Sequence, residues 1–389
     1  MKLAVITPRY APGGVVGGAE TLLRTYARGL AVRGHEVHLL TTCATDHTTW
    51  ANATPAGTQH LEGMSVHSFP VDEGRDLPLF FQLQGRIDRR QPLSPREEAL
   101  WVRHNVNSRA LTDWLAAEAG GLDAIVAGPY LFGLILAACA VCPQKTWLVP
   151  CLHDEPFARL GVVADMFRSV RGLLFNAEPE RTLAVRLYGL PSDCGAVVGM
   201  GIEPFEADPA PFVARHRLPQ PYLLYAGRRE AGKNTPLLLD YVATYRSRRQ
   251  SDLPLVLVGS GSVDIPDRLR SGVIDLGFVS EADKRAAMAG AAVFLHPSTN
   301  ESFGIVLLEA WMAGTPALVH RKSAVLQWQC EQADAGLWFG YYPEFEAMLD
   351  LLLQDRALAG RLGQNGRRHV RTHYHPGAIL DRLQTALSS

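Results

Sequence analysis

Four charged residues in two strings have the types and spacing to bind a polar ligand. The first string, HPSTNESFGIVLLEAWMAGTP from His296 to Pro316, leaves a strand-like run, crosses a polar turn and enters an apolar helix expected to open near Ser302 and Phe303. From Phe303 to Ala313 that helix is apolar except for Glu309, and an ionised carboxylate in such a setting is costly unless hydrogen-bonded. A ribose, with two adjacent hydroxyls, would satisfy Glu309, and Gly304 would let a diphosphate approach the free N–H groups at the helix start. Glu301 would then lie beside a sugar. An Arg or Lys from elsewhere in the fold would satisfy Glu309 equally well, leaving Glu301 as an acid of the first helical turn. The second string, LLYAGRREAGKN, places Arg228 and Lys233 on a glycine-containing turn after a strand. Arginine offers a planar fork and lysine a mobile point charge, a pair suited to phosphate oxygens. Taken alone, the same string also reads as a solvated turn.

The surrounding elements must bring the two strings together. LAVIT at 3–7, the glycines at 13, 14, 17 and 18, the helix-like AETLLRTYARGLAVRG and the strand EVHLLTT at 36–42 make a βαβ unit. Strands at 123–128 and 146–151 continue a doubly wound parallel sheet. The apolar rhythm fails between about Val197 and Gln220, where Pro and Gly crowd together as in a linker. A second α/β rhythm follows, with strands at 221–227, 253–259, 273–279, 292–298 and 316–320. The expected fold is α/β, with a Rossmann-like domain over 1–200, a second over 201–370, and a helix over 371–389 that packs back on the first. The stretch from Val71 to Pro95, with LPLFFQ ahead of Arg86, Arg89 and Arg90, is expected to be an irregular loop.

The chain has 389 residues, enough for two domains at roughly 100–200 residues each, and 47% hydrophobic content can fill two cores. Lys plus Arg number 38 against 39 for Asp plus Glu, so nothing favours nucleic acid as a partner. The longest apolar stretch, Leu131 to Cys142, falls short of the ~20 residues that span a bilayer. The N-terminal apolar segment is too short for a signal peptide, and six scattered cysteines fit a reducing compartment, so a cytoplasmic location is expected. Cys139 and Cys142 have C-x-x-C spacing, but in LAACAVCP buried free thiols are the stronger reading than zinc or redox chemistry. No segment supports a peripheral membrane contact.

Together the two strings resemble the family 4 retaining glycosyltransferases of the GT-B fold, in which two Rossmann-like domains face a central cleft. The match lies in Glu301 and Glu309 with seven residues between them, in Glu301-x-Phe303-Gly304, and in Arg228 with Lys233 five positions later. GSG at 259–261, GFVS at 277–280, GGAE at 17–20 and His153-Asp154 support it. The resemblance implies Arg228 and Lys233 on the donor diphosphate and Glu309 on the ribose. Glu301 and the backbone of Phe303, Gly304 and Ile305 would surround the sugar and phosphates. Gly259, Gly261, Phe278 and Val279 would line the nucleotide, Gly17 and Gly18 would approach the diphosphate, and His153 would face the sugar. The alternative for His153 is a strand-end residue with Asp154 capping the next segment, and Glu20 reads equally as a ligand or as an acid at a helix start.

Two departures stand out: RKSAVLQWQCEQADAGLWF at 321–339 replaces a Gly-Gly loop ending in Glu, and GKN at 232–234 replaces the commoner GKG. No Asp-x-Asp pair occurs, so the diphosphate charge is expected to be met by Arg228, Lys233 and a helix N-terminus, with no metal and no cofactor. The expected reaction moves a hexose-type sugar from a UDP- or GDP-linked donor to a hydroxyl of a saccharide, lipid-linked or small-molecule acceptor. Its expected course is front-face, the leaving diphosphate helping to deprotonate the acceptor. A nucleotide-sugar epimerase and a non-catalytic nucleotide-sugar-binding protein are the alternatives.

Overall fold

The computed structural model describes residues 1–11, 17–229 and 231–389. Gly13 and Gly14 lie outside them. The chain divides into two compact units, one of residues 1–200 with 379–389 and the other of residues 201–378.

The first unit runs β1 (Lys2–Ile6), α1 (Gly18–Val32), β2 (Glu36–Thr42), β3 (Gly57–Leu61), β4 (Met64–Phe69), α2 (Leu77–Asp88), α3 (Pro95–His104), α4 (Arg109–Glu118), β5 (Ala124–Ala127), α5 (Gly133–Val141), β6 (Thr146–Leu148), α6 (Gly161–Ser169), β7 (Gly172–Phe175), α7 (Glu178–Tyr188) and β8 (Ala196–Val197). Its sheet has the order β3-β4-β2-β1-β5-β6-β7-β8, parallel except where β3 meets β4. The central strands β1 and β5 are buried along nearly their whole length, as a sheet covered on both faces requires. The stretch expected to be irregular from end to end instead contains helix α2. Asp76 caps α2 at Leu79, Pro78 sits in its first turn, and Leu83 and Ile87 bury one face four residues apart. Ser94 and Glu97 then form a capping box that opens α3.

The second unit runs α8 (Ala210–His216), β9 (Leu223–Ala226), α9 (Thr235–Arg249), β10 (Leu255–Val258), β11 (Val273–Asp275), α10 (Glu281–Gly290), β12 (Val293–His296), α11 (Ile305–Met312), β13 (Ala317–His320), α12 (Ala324–Ala333), β14 (Gly336–Phe339), α13 (Tyr342–Gln354) and α14 (Arg356–His373). Helix α8 interrupts the segment expected to be a plain linker. The six parallel strands are ordered β11-β10-β9-β12-β13-β14, the 3-2-1-4-5-6 arrangement of a Rossmann sheet, so the chain reverses direction across the sheet between β9 and β12. The final helix, α15 (Pro376–Ser388), contributes its residues from Ile379 on to the first unit. There Asp381 pairs with Arg33 at 2.7 Å and Gln384 bonds His35 at 2.7 Å.

Helix α11 carries Glu309, and α14 holds it in place by an unusually close approach. Gly366 lies against the fully buried Trp311, and a Cβ on Gly363 would come within 2.0 Å of the Gly314 carbonyl oxygen. Gly360, in the same helix, has open space at that position. Alanine in place of a helical glycine is worth about 0.5–1 kcal/mol where there is room, and overpacking costs about 1–3 kcal/mol. Gly360→Ala should therefore raise the urea midpoint and Gly363→Ala lower it; equal shifts in the same direction would contradict this packing.

Candidate active site

The turns after β9 and β12 meet at the point where the strand order reverses. Beyond β9, Gly227 takes φ 147°, Arg228 is exposed, and its carbonyl accepts the Tyr225 hydroxyl at 2.6 Å. A single 3-10 turn, Ala231–Lys233, leads to Asn234 ahead of α9. Asn234 sits at φ 58°, a left-handed position that asparagine tolerates nearly as well as glycine, so GKN keeps the backbone that GKG would have. Its side chain donates to the Pro297 carbonyl at 3.1 Å and ties the two turns together. Lys233 Nζ then lies 2.7 Å from Glu301 Oε1.

Glu301 is 13% exposed and Lys233 27%. Burial pushes the Glu301 carboxyl up, yet His296 and Lys233 outweigh it and hold the pKa below the ordinary carboxylate value. Burial drives His296 down to about 4, so at neutral pH its ring is uncharged and the lysine is the operative counter-charge. The ring lies 3.8 Å from Glu301, and both its nitrogens are buried without hydrogen-bond partners. Neither His296 nor Asn234 was expected at the site, because nothing local marks the first as facing Glu301 or the second as tying the two turns together.

Helix α11 opens at Ile305, later than expected, because Gly304 takes φ 82° and supplies the N-cap. A Cβ there would come within 2.6 Å of Leu326 Cδ2. Phe303 is buried with its ring edge-on to Tyr374, Ile305 is half-buried, and all three expected residues border the free N–H groups of α11. Glu309 finds its partner within the protein: Lys284 Nζ of α10 lies 3.0 Å from both carboxylate oxygens and 2.9 Å from Glu281. Burial raises the Glu309 pKa against the opposing pull of Lys284. Only Oε1 receives a well-directed hydrogen bond, and Oε2 is buried with none, so capacity for a further donor remains.

The glycine turn at 259–261 lies beside Gly227 and Arg229. Gly259 takes φ 127°, and a Cβ there would come within 2.0 Å of the Gly227 carbonyl oxygen; Gly261 takes φ 91° and bridges to Arg229. Beyond β11 the chain turns at Gly277, leaving Phe278 63% exposed and Val279 half-buried. The strand expected to reach 279 stops at Asp275 because Gly277 is left-handed.

In the first unit, Gly17 caps α1, whose first residue is Gly18. Glu20 is buried and pairs with Arg9 at 2.6 Å, which fixes it as an ion-pair partner; a Cβ on Gly17 would meet its carboxylate at 2.3 Å. His153 follows β6, with Nδ1 3.7 Å from Glu155 Oε1, and Glu155 accepts the Tyr130 hydroxyl at 2.6 Å. Asp154 does not cap the following segment but bridges Arg159 and, at 2.7 Å, Arg186. Close by, the fully buried Glu180 accepts the Leu152 and Asn176 N–H groups, and burial raises its pKa to about 7. Cys139 and Cys142 are buried free thiols.

Two Rossmann units, the second with cations and carboxylates gathered at its strand reversal, define the GT-B class of nucleotide-sugar enzymes. Residues 208–369 match the family Glycosyl transferases group 1. The chain is 29% identical over 342 residues to a D-inositol 3-phosphate glycosyltransferase of Stackebrandtia nassauensis, covering 80% of this chain and 73% of that protein. It is 27% identical to the Jonesia denitrificans protein of the same name, covering 98% and 95%. Among solved structures, sucrose-phosphate synthase from Thermosynechococcus elongatus superposes with a TM-score of 0.72 at 19% identity, over 99% of this chain and 97% of that one. Anabaena HepE in complex with UDP gives 0.73 at 16% identity, over the whole of both chains. The chain is a glycosyltransferase of GT-B fold whose residues 208–369 match the group 1 glycosyl transferases.

The shared lysine makes the two members of the Glu309 pair unequal. Glu309→Gln leaves Lys284 its contact with Glu281, whereas Lys284→Met strands two carboxylates, one of them buried. Lys284→Met should lose about 1–3 kcal/mol more than Glu309→Gln in denaturant titrations. Equal losses would show that Glu281 gives Lys284 no support.

Proposed function

We propose that the chain is a retaining, metal-independent hexosyltransferase that takes a sugar from a UDP- or GDP-linked donor to an acceptor hydroxyl. The carrying observation is the convergence of Lys233 and Glu301 at the reversal between β9 and β12, beside the N-terminus of α11. Arg228 and Lys233 meet the diphosphate, Glu301 the sugar, and Glu309 the ribose. Gly259, Gly261, Phe278 and Val279 hold the nucleoside, and Gly17, Gly18 and His153 serve from the first unit. Uracil is the favoured base, since the HepE structures hold UDP and UDP-glucose. The relatives named D-inositol 3-phosphate glycosyltransferases make a polyol phosphate the first acceptor to test. Among the described residues no helix is long and apolar enough to cross a membrane. Six free cysteines, most of them buried, favour a reducing, cytoplasmic setting.

In this reading the bond from the anomeric carbon to the diphosphate breaks as the acceptor oxygen approaches the same face. The acceptor's proton passes to the departing diphosphate oxygen. Charge growing on the diphosphate is met by Arg228, Lys233 and the N–H groups at the start of α11, which supply the electrostatic stabilisation a metal would otherwise give. Lys233 gives up part of its bond to Glu301 to do so, and the carboxylate turns to the sugar hydroxyls.

Thermal-shift screening against nucleoside diphosphates identifies the base, since a ligand at 100 times its Kd stabilises by about 2.7 kcal/mol. With donor and acceptor supplied, release of nucleoside diphosphate should be unaffected by EDTA, and Arg228→Ala or Lys233→Ala should each lower kcat by about 10²–10³. Activity lost on chelation and restored by Mg²⁺ or Mn²⁺ would assign the counter-charge to a metal. An isomerised donor formed without acceptor would make the chain an epimerase.

A further inference from the structure

Arg229 follows the exposed Arg228 and is itself only 6% exposed. Its Nη2 donates to the Gly259 carbonyl at 2.6 Å, and Nη1 pairs with Asp275 Oδ2. Asp275 uses its other oxygen to accept the Gly277 N–H at 2.8 Å. The backbone repeats the connection: Arg229 N–H donates to Ser260 O at 2.8 Å, and Gly259 N–H to Gly277 O at 2.7 Å. One side chain thus reaches from the end of β9 past β10 to β11, across two strand spacings of about 4.8 Å each.

The arrangement has an energetic cost, because the Arg229 Nε is buried with no partner among the described residues. An apolar side chain of similar length would fill the space without that cost, so the arginine's contribution lies in what its two terminal nitrogens hold. They hold the turn at 259–261 and the turn at 275–280. These turns carry Gly259, Gly261, Phe278 and Val279.

We propose that Arg229 is a positioning residue: by clamping the ends of β9, β10 and β11 it sets the gap between the two turns and so decides which nucleobase the donor site accepts. The inference rests on the nucleotide-binding role proposed above for these turns. A pyrimidine and a purine differ in width by one fused ring, so the gap between the turns decides which of them fits. A fork that bonds Gly259 and Asp275 together sets that gap more narrowly than a single ammonium can.

The test measures Kd for UDP, GDP and ADP by calorimetry, with the unfolding midpoint, for wild type, Arg229→Met, Arg229→Lys, Asp275→Asn and the Arg229→Met/Asp275→Asn double variant. Wild type should prefer one base. Arg229→Met should weaken that ligand roughly tenfold, the effect of one charge-assisted hydrogen bond, while changing the others little, so that the preference collapses. Arg229→Lys should fall between, and the double variant should be no worse than Arg229→Met alone, as expected of residues acting as a unit. If Arg229→Met does not fold, Arg229→Lys and Asp275→Asn are judged by the same ratio. A folded variant whose three Kd values keep the wild-type ratio, even if all are weaker, overturns the clamp and leaves the proposed function standing. Wild type that binds no nucleoside diphosphate overturns both.

Discussion

Two carboxylates lie mostly buried along the strand-end edge of the second unit, and each is held there by one lysine. Glu301 has Lys233 at 2.7 Å and Glu309 has Lys284 at 3.0 Å. Taking charges out of water is expensive, and only close pairing makes that placement compatible with folding. Much of the local structure follows from this requirement. The turn after β9 must bring Lys233 across to β12, which the left-handed Asn234 and its bond to Pro297 accomplish. Helix α10 must face α11 so that Lys284 can reach Glu309.

The sheet order supplies the geometry that makes such pairing possible. In a parallel sheet every strand delivers its following turn to the same edge, and the reversal between β9 and β12 leaves those two turns adjacent while their helices diverge to opposite faces. Helix α11, capped by Gly304, presents free N–H groups to that edge. Helix α14 fixes the angle of α11 through Gly366 and Gly363, which admit Trp311 and the Gly314 backbone, so residues far along the sequence set the placement of Glu309.

The first unit gathers polar groups at its own strand ends by a different route. Glu180 is fully buried; two backbone N–H groups hold it, and burial raises its pKa to about 7. Arg9 neutralises Glu20, and Glu155 joins Tyr130 to the neighbourhood of His153. Here backbone donors and a phenol do what lysines do in the second unit.

The α/β class and the GT-B resemblance were legible in the amino-acid sequence because buried parallel strands are short apolar runs and glycine turns punctuate them. The strand-end position of Arg228, Lys233 and Glu301 was legible for the same reason. Helix α2 was not, since Pro78 and the exposed Phe81 break the apolar period and only the packing of Leu83 and Ile87 shows which face is buried. Nor was the hairpin of β3 and β4, whose first strand is exposed along most of its length and carries no hydrophobic signal. Sequence alone established that Glu309 needs a partner, because an isolated charge in an apolar helix is a local contradiction. That the partner is Lys284, and that Arg229 ties three strand ends together, depended on the tertiary structure. Such contacts join residues tens of positions apart, and their geometry is set by the order of strands in the sheet, which no local pattern encodes.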